Sequence, residues 1–126
     1  MKVLISIKPE FVEKIFSGEK QFEYRKSIFK RQNIDTIIIY ETKPIGKIVG
    51  EIQFNEILVD TPQNIWNKTK EKSGISEKFF FEYFQNRNLA YAIKINKTIK
   101  YDKAINPKEE GLIFTAPQSF RYIKDL

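Results

Sequence analysis

Residues 35–42 read "DTIIIYET", with three isoleucines in succession between Thr36 and Tyr40. Side chains on a strand alternate between its two faces. A near-continuous β-branched run therefore has no polar face to offer water. It reads as a central strand, buried on both sides, and the rest of the chain must cover two faces of a sheet.

The flanking segments supply that cover. "KVLISIK" alternates weakly, with Val3, Ile5 and Ile7 on one side and Leu4 on the other, and reads as a buried strand ending at Pro9. Pro9 suits a first helical turn, and Glu10 suits its dipole. Phe11, Val12, Ile15 and Phe16 give that helix one apolar face, and Gly18 stops it. "KQFEYRKSIF" alternates again. Phe22, Tyr24 and Lys26 point one way and Gln21, Glu23 and Arg25 the other, with Lys20 at the entrance. A turn at Pro44–Gly46 leads into a long strand carrying Ile48, Ile52 and Phe54, with Gly50 marking a bulge or sharp bend.

Thr61 caps a helix over "PQNIWNKTKE" that Gly74 ends, and Ser76 opens another, "EKFFFEYFQNR". Trp66 reads as a core residue of the first of these. Phe79, Phe80, Tyr83 and Phe84 form the apolar stripe of the second. "LAYAIKI" and "TIKYDKAI" read as two further strands, and a last short strand falls around Phe120–Ile123. Five to seven strands with two or three short helices, joined irregularly, predict an α+β fold: a small mixed β-barrel with two or three short flanking helices. At 126 residues this is one domain, 1–126.

The chain has no Cys and no His. That excludes a disulfide framework, a thiol nucleophile, a Ser-His-Asp arrangement and most zinc sites. Catalysis would have to run on Lys, Glu, Asp, Tyr, Ser or Thr. There is no G-x-G-x-x-G and no phosphate-binding P-loop, no metal cluster, and no cofactor is expected. No segment is apolar enough to span a membrane, and the N-terminal run is too short for a signal peptide. A cytoplasmic monomer is the expectation. The formal net charge is +6 and the pI about 9.4. That surplus favours RNA, DNA or an anionic nucleotide as partner, or it reflects an Ile-, Lys- and Asn-rich composition.

"SIKPEFVEKIFSGEKQFEYR" resembles the strand–helix–strand opening of the ASCH family within the PUA-like superfamily. Gly18, Lys20, Glu23 and Arg25 match that family's G-x-K-x-x-E-x-R pattern. "IIIYETKPIGKIVGEIQFNEIL" is similar to its hairpin, and "APQSFRYI" to the ending of a subgroup of small bacterial, archaeal and phage members. The resemblance covers residues 1–123. It implies a small β-barrel with a cleft beside the first helix, and binding of RNA or single modified bases there. It also implies rarer enzymatic branches: one deacylates acetylcytidine with a Lys and a Thr in this segment, another is a ribonuclease. Glu23 stands here where the first branch has its Thr.

Glu23 and Arg25 share one strand face, about 7 Å apart. They form either a structural ion pair or a ligand-facing cluster in which Arg25 and Lys20 take phosphate or a base carbonyl and Glu23 accepts from an amino group. Ser6 and Lys8 leave the first strand beside them. Tyr40 is a stacking candidate or a barrel-wall aromatic. Glu51 is a candidate second carboxylate, and Gln118, Ser119 and Tyr122 are candidates to close the pocket. Lys26, Lys30, Arg31, Lys43 and Lys47 would track a phosphate backbone or lie solvated. The reading is an RNA- or nucleotide-binding cleft. Its rivals are an enzyme on the same cleft, with Lys20, Glu23 and Tyr40 as acid–base candidates, and a protein-interaction module.

Overall fold

The structure, a computed structural model, describes residues 1–108 and 120–124. Six strands form one sheet in the order β2-β5-β4-β3-β1-β6. They are β1 (Lys2–Ile7), β2 (Phe22–Arg25), β3 (Thr36–Glu41), β4 (Lys47–Asp60), β5 (Ala90–Ile105) and β6 (Phe120–Ile123). Only β1 and β3 run parallel; every other pair is antiparallel. Among the described residues three α-helices accompany them, α1 (Pro9–Ser17), α2 (Pro62–Thr69) and α3 (Glu77–Tyr83), with a 3-10 turn over Lys70–Lys72. The sheet curls into a half-barrel.

The isoleucine run is the spine of this sheet. Ile37 and Ile39 enter one apolar cluster with Val3, Ile5, Ile7 and the α1 residues Val12 and Ile15. Ile38 enters another, on the opposite face, with Leu4 and Ile48. All three isoleucines are fully buried. α2 and α3 build a third cluster in which Phe80 is enclosed by Tyr24, Trp66 and Phe84. The helix starts follow their caps: Thr61 Oγ1 accepts from the Asn64 amide, and Ser76 Oγ from that of Phe79.

Four element expectations change, two of them at helix ends: α2 stops at Thr69 and α3 at Tyr83, short of the segments read as helical. The segments read as two strands over residues 89–105 are one strand, β5, of 16 residues. The polar step at Asn96–Lys97–Thr98 does not turn, because β4 absorbs it through register shifts at Gln53/Phe54 and Phe54/Glu56. The strand expected over residues 20–29 shortens to Phe22–Arg25. The pairing also slips around Gly50, between Ile48 and Gly50 against β5. An added Cβ there would lie 2.3 Å from the Ile99 carbonyl oxygen and 2.6 Å from the Phe16 ring. Gly50 is thus where α1 and β5 approach closest to the bent strand.

Candidate functional site

In hydrogen-bonding order, three strands separate β1 from β2. Laid flat, four strand spacings come to about 19 Å. The nine-residue α1 that joins these two strands is only about 13 Å long. Curling brings the end of β1 towards β2, and a cavity of about 250 Å³ lies between them, α1 and α3. Ser6 and Lys8 line it from the end of β1 and Phe11 from α1. Lys20, Glu23, Tyr24 and Arg25 line it from the β2 side, and Ile75, Phe79 and Tyr83 from the α3 side.

Lys20 is placed by the main chain. Gly18 caps α1 in the left-handed region at φ 86°. The Lys20 amide then donates to the Lys14 carbonyl at 3.0 Å, and the Gln21 amide to the Lys72 carbonyl at 2.8 Å. These bonds turn the Lys20 side chain inward, where it is only 2% exposed. Its Nζ donates to the Ser73 carbonyl at 3.2 Å and lies 4.6 Å from the Tyr24 ring centroid. Burial brings the Lys20 ammonium down from its ordinary range to about 8, against the opposing pull of Glu23.

Glu23 sits between two cations. Lys20 Nζ is 3.9 Å from Oε1, and Arg25 Nη1 is 3.6 Å from Oε2. Both distances exceed hydrogen-bonding range. Glu23 as a residue is 6% exposed, and each carboxylate oxygen faces one of these cations. The Ser6 hydroxyl is buried and has no hydrogen-bond partner among the described residues. The floor is otherwise satisfied. Tyr24 Oη donates to Thr69 Oγ1 at 2.7 Å, and Thr69 donates on to the Ile65 carbonyl. Burial pushes the Tyr24 hydroxyl up to about 12.

The rim is aromatic and basic. Phe79 and Tyr83 lie nearly parallel, 8° apart in plane, and Phe11 meets Phe79 edge-on at 5.3 Å. Lys8 Nζ stands 5.8 Å from the Phe79 centroid, and Lys26 Nζ 4.7 Å from that of Tyr83.

The fold therefore gathers Ser6, Lys8, Lys20, Glu23 and Arg25 around one cavity. It does not bring Tyr40 or Glu51 to that cavity. Tyr40 packs on the Leu4–Ile38–Ile48 cluster. Glu51 accepts from Tyr101 Oη and lies 3.4 Å from Lys2 Nζ. The end of the central strand suggests Tyr40 and the Gly50 bend suggests Glu51, but the direction in which the sheet curls decides which residues meet. Gln118 and Ser119 lie outside the described residues. Tyr122 is on β6, where its hydroxyl accepts from the Lys30 and Arg31 amides and its ring lies under the Arg31 guanidinium. Of Lys26, Lys30, Arg31, Lys43 and Lys47, Lys26 stands over a cavity-lining ring.

Phe11, Phe79 and Tyr83 are the wall residues that sequence patterning alone assigned to the core. The seven residues of α3 hold two i,i+4 aromatic pairs if Phe84 is included, more than one stripe can bury. Phe80 and Phe84 are enclosed, whereas Phe79 and Tyr83 remain half-buried.

A profile of the ASCH domain matches residues 5–99. The chain belongs to the ASCH family. It is 30% identical over 125 residues to ATP synthase subunit alpha of Ureaplasma parvum serovar 3, a match that takes in 97% of this chain but 15% of that protein. It is 26% identical over 125 residues to an ASCH domain-containing ribonuclease of Zymomonas mobilis, covering 98% of this chain and 84% of the relative. The crystal structure of ASCH from Zymomonas mobilis superposes with a TM-score of 0.89 at 26% identity, over 98% of this chain and 87% of that one. This ASCH domain is a PUA-like fold, as its opening segment implied. Among its described residues no helix is long and apolar enough to cross a membrane.

The buried Lys20 gives a pH signature. Between about pH 8 and 10 the folded chain has released the Lys20 proton while the unfolded chain still binds it. Stability therefore rises with pH across that window, on the order of 2 kcal/mol. Above about pH 10 the unfolded chain loses tyrosine protons that Tyr24 keeps in the fold, and the trend reverses. Urea unfolding across this range should show the rise in the wild type and not in Lys20→Met. A wild-type curve as flat as the variant's would contradict a buried ammonium.

Proposed function

We propose that this ASCH domain binds RNA or a nucleotide in the cavity between α1, β2 and α3. The observation that carries the reading is the Glu23 carboxylate, held between Lys20 and Arg25 beneath a rim of lysines standing over aromatic rings. An aromatic wall accepts the face of a base without regard to sequence. Lys8 and Lys26 are the natural partners of the phosphates on either side of that base. The relative named as a ribonuclease supports RNA as the polymer.

Affinity for a short single-stranded RNA, measured by anisotropy over a salt series, tests this. Each phosphate neutralised contributes a log–log slope of about −0.7. Lys8→Ala/Lys26→Ala should flatten the slope by about 1.4. Binding that ignores salt, or that the double variant leaves unchanged, removes the lysines from the interface.

The same relative favours a second reading, in which the bound RNA is cut. An amine near pKa 8 is free in a useful fraction at neutral pH, as a general base requires. Incubation of labelled RNA with and without a chelator, using wild type and Lys20→Ala, separates the readings. Turnover that disappears in the variant establishes cleavage at this cavity. Binding without turnover leaves the binding module, and the absence of both points to a protein-interaction module.

A further inference from the structure

Two polar groups facing the same cavity have hydrogen-bonding capacity left over. Glu23, 6% exposed, meets its two cations at 3.9 and 3.6 Å, both beyond hydrogen-bonding range. The Ser6 hydroxyl has no hydrogen-bond partner among the described residues. Buried polar atoms are nearly always paired, and an orphan asks for an explanation. An unpartnered hydroxyl beside a carboxylate held only by long ion pairs marks where a ligand's polar edge would lie. Resting on the nucleotide-binding reading above, we propose that the cavity takes a single guanine base, with its Watson–Crick edge on Glu23.

The chemistry of the edge selects the base. An ionised carboxylate only accepts, and each Glu23 oxygen has lone-pair capacity left beside its cation. Its best neutral partner is a pair of adjacent N–H groups. Guanine offers N1–H and the N2 amino group side by side. Adenine and cytosine put a ring-nitrogen lone pair next to their amino group. Uracil puts its one N–H between two carbonyl oxygens. Each of these three would turn a lone pair towards the carboxylate. A guanidinium ligand also offers two N–H groups, but Lys8, Lys20, Arg25 and Lys26 around the cavity repel a cation.

The neighbouring cations suit the remaining atom. Guanine O6 lies beside N1–H. Lys20 approaches Glu23 Oε1 and Arg25 approaches Oε2. Whichever way the base turns on the carboxylate, O6 comes beside a cation. The volume agrees: about 250 Å³ is smaller than the ~300–1,000 Å³ of drug-sized pockets. It suits one base, leaving sugar and phosphate at the rim.

Heptaribonucleotides with G, A, C or inosine at the centre of a U tract test the proposal at one salt concentration, with 5′-GMP as competitor. The G-centred strand should bind about tenfold or more tightly than the A- and C-centred strands. Inosine keeps N1–H and O6 but lacks the amino group, so it should lose most of that preference without any change to the protein. Glu23→Gln should level all four strands. Competition by 5′-GMP at concentrations near its own binding constant shows that a free nucleotide suffices, and its failure to compete assigns the guanine to a strand. Equal, salt-dependent binding of every heptamer overturns the guanine assignment and leaves the nucleotide-binding reading standing. Binding of neither heptamers nor 5′-GMP overturns both.

Discussion

Gly74→Ala should lower the unfolding free energy by about 3 kcal/mol or more and move Lys20 out of the cavity. Gly74 sits at φ +68°, a left-handed conformation in which a side chain is strained. A Cβ there would also lie 2.4 Å from the Lys20 Cβ, 2.8 Å from its Cγ and 2.9 Å from its Cα. The Lys20 stem cannot retreat, since its Cα is in the way and its Nζ is tied to the Ser73 carbonyl. Gly18→Ala is the internal control. Gly18 has φ +86° but nothing within 4 Å of an added Cβ, so it carries only the backbone term of about 1–2 kcal/mol. Thermal and urea unfolding of the two variants isolate the Lys20 contact. If both cost the same, Gly74 is not what seats Lys20.

Glu23→Leu should cost about 3 kcal/mol, at the lower end of the range for breaking a buried pair. It leaves Lys20 and Arg25 close together with no carboxylate between them. The cost stays at that lower end because Lys20, already brought down to about 8, can shed its proton. Adding Lys20→Met should recover part of the loss, because apolar replacement of a buried pair is far less costly than removal of one partner. A double variant whose loss is the sum of the two single losses would show that Lys20 and Glu23 are not coupled. Both singles should also abolish the guanine preference.

Local pattern carried much of the fold. The isoleucine run, the Pro9 and Pro62 helix starts and the Ser76 cap all act within a few residues, and each stands where patterning put it. The continuous β5 was not legible, because what carries its polar midpoint through is a slip in the partner strand. The candidate cavity divides along the same line. Lys20, Glu23 and Arg25 fall within one six-residue stretch, and strand alternation already sets Glu23 and Arg25 on one face. Tyr40 rests on its place at the end of the central strand and Glu51 on following Gly50, and neither position says how the sheet curls. Phe79 and Tyr83 looked like core because a helical stripe does not reveal where a second element stops short of covering it.

Three successive carbonyls between α2 and α3 each take a donor from the segment that runs from α1 into β2. Lys72 O receives the Gln21 amide, Ser73 O the Lys20 ammonium, and Gly74 O the Lys14 ammonium. The spacing between the Phe79–Tyr83 wall and β2 is consequently gauged by backbone. Exchanging wall side chains alters what touches a guest, but leaves the gauge setting untouched. Changing the thickness of the guest would take an insertion or deletion between Thr69 and Ser76, so chain length in that connection is the dimension along which such a pocket would be retuned.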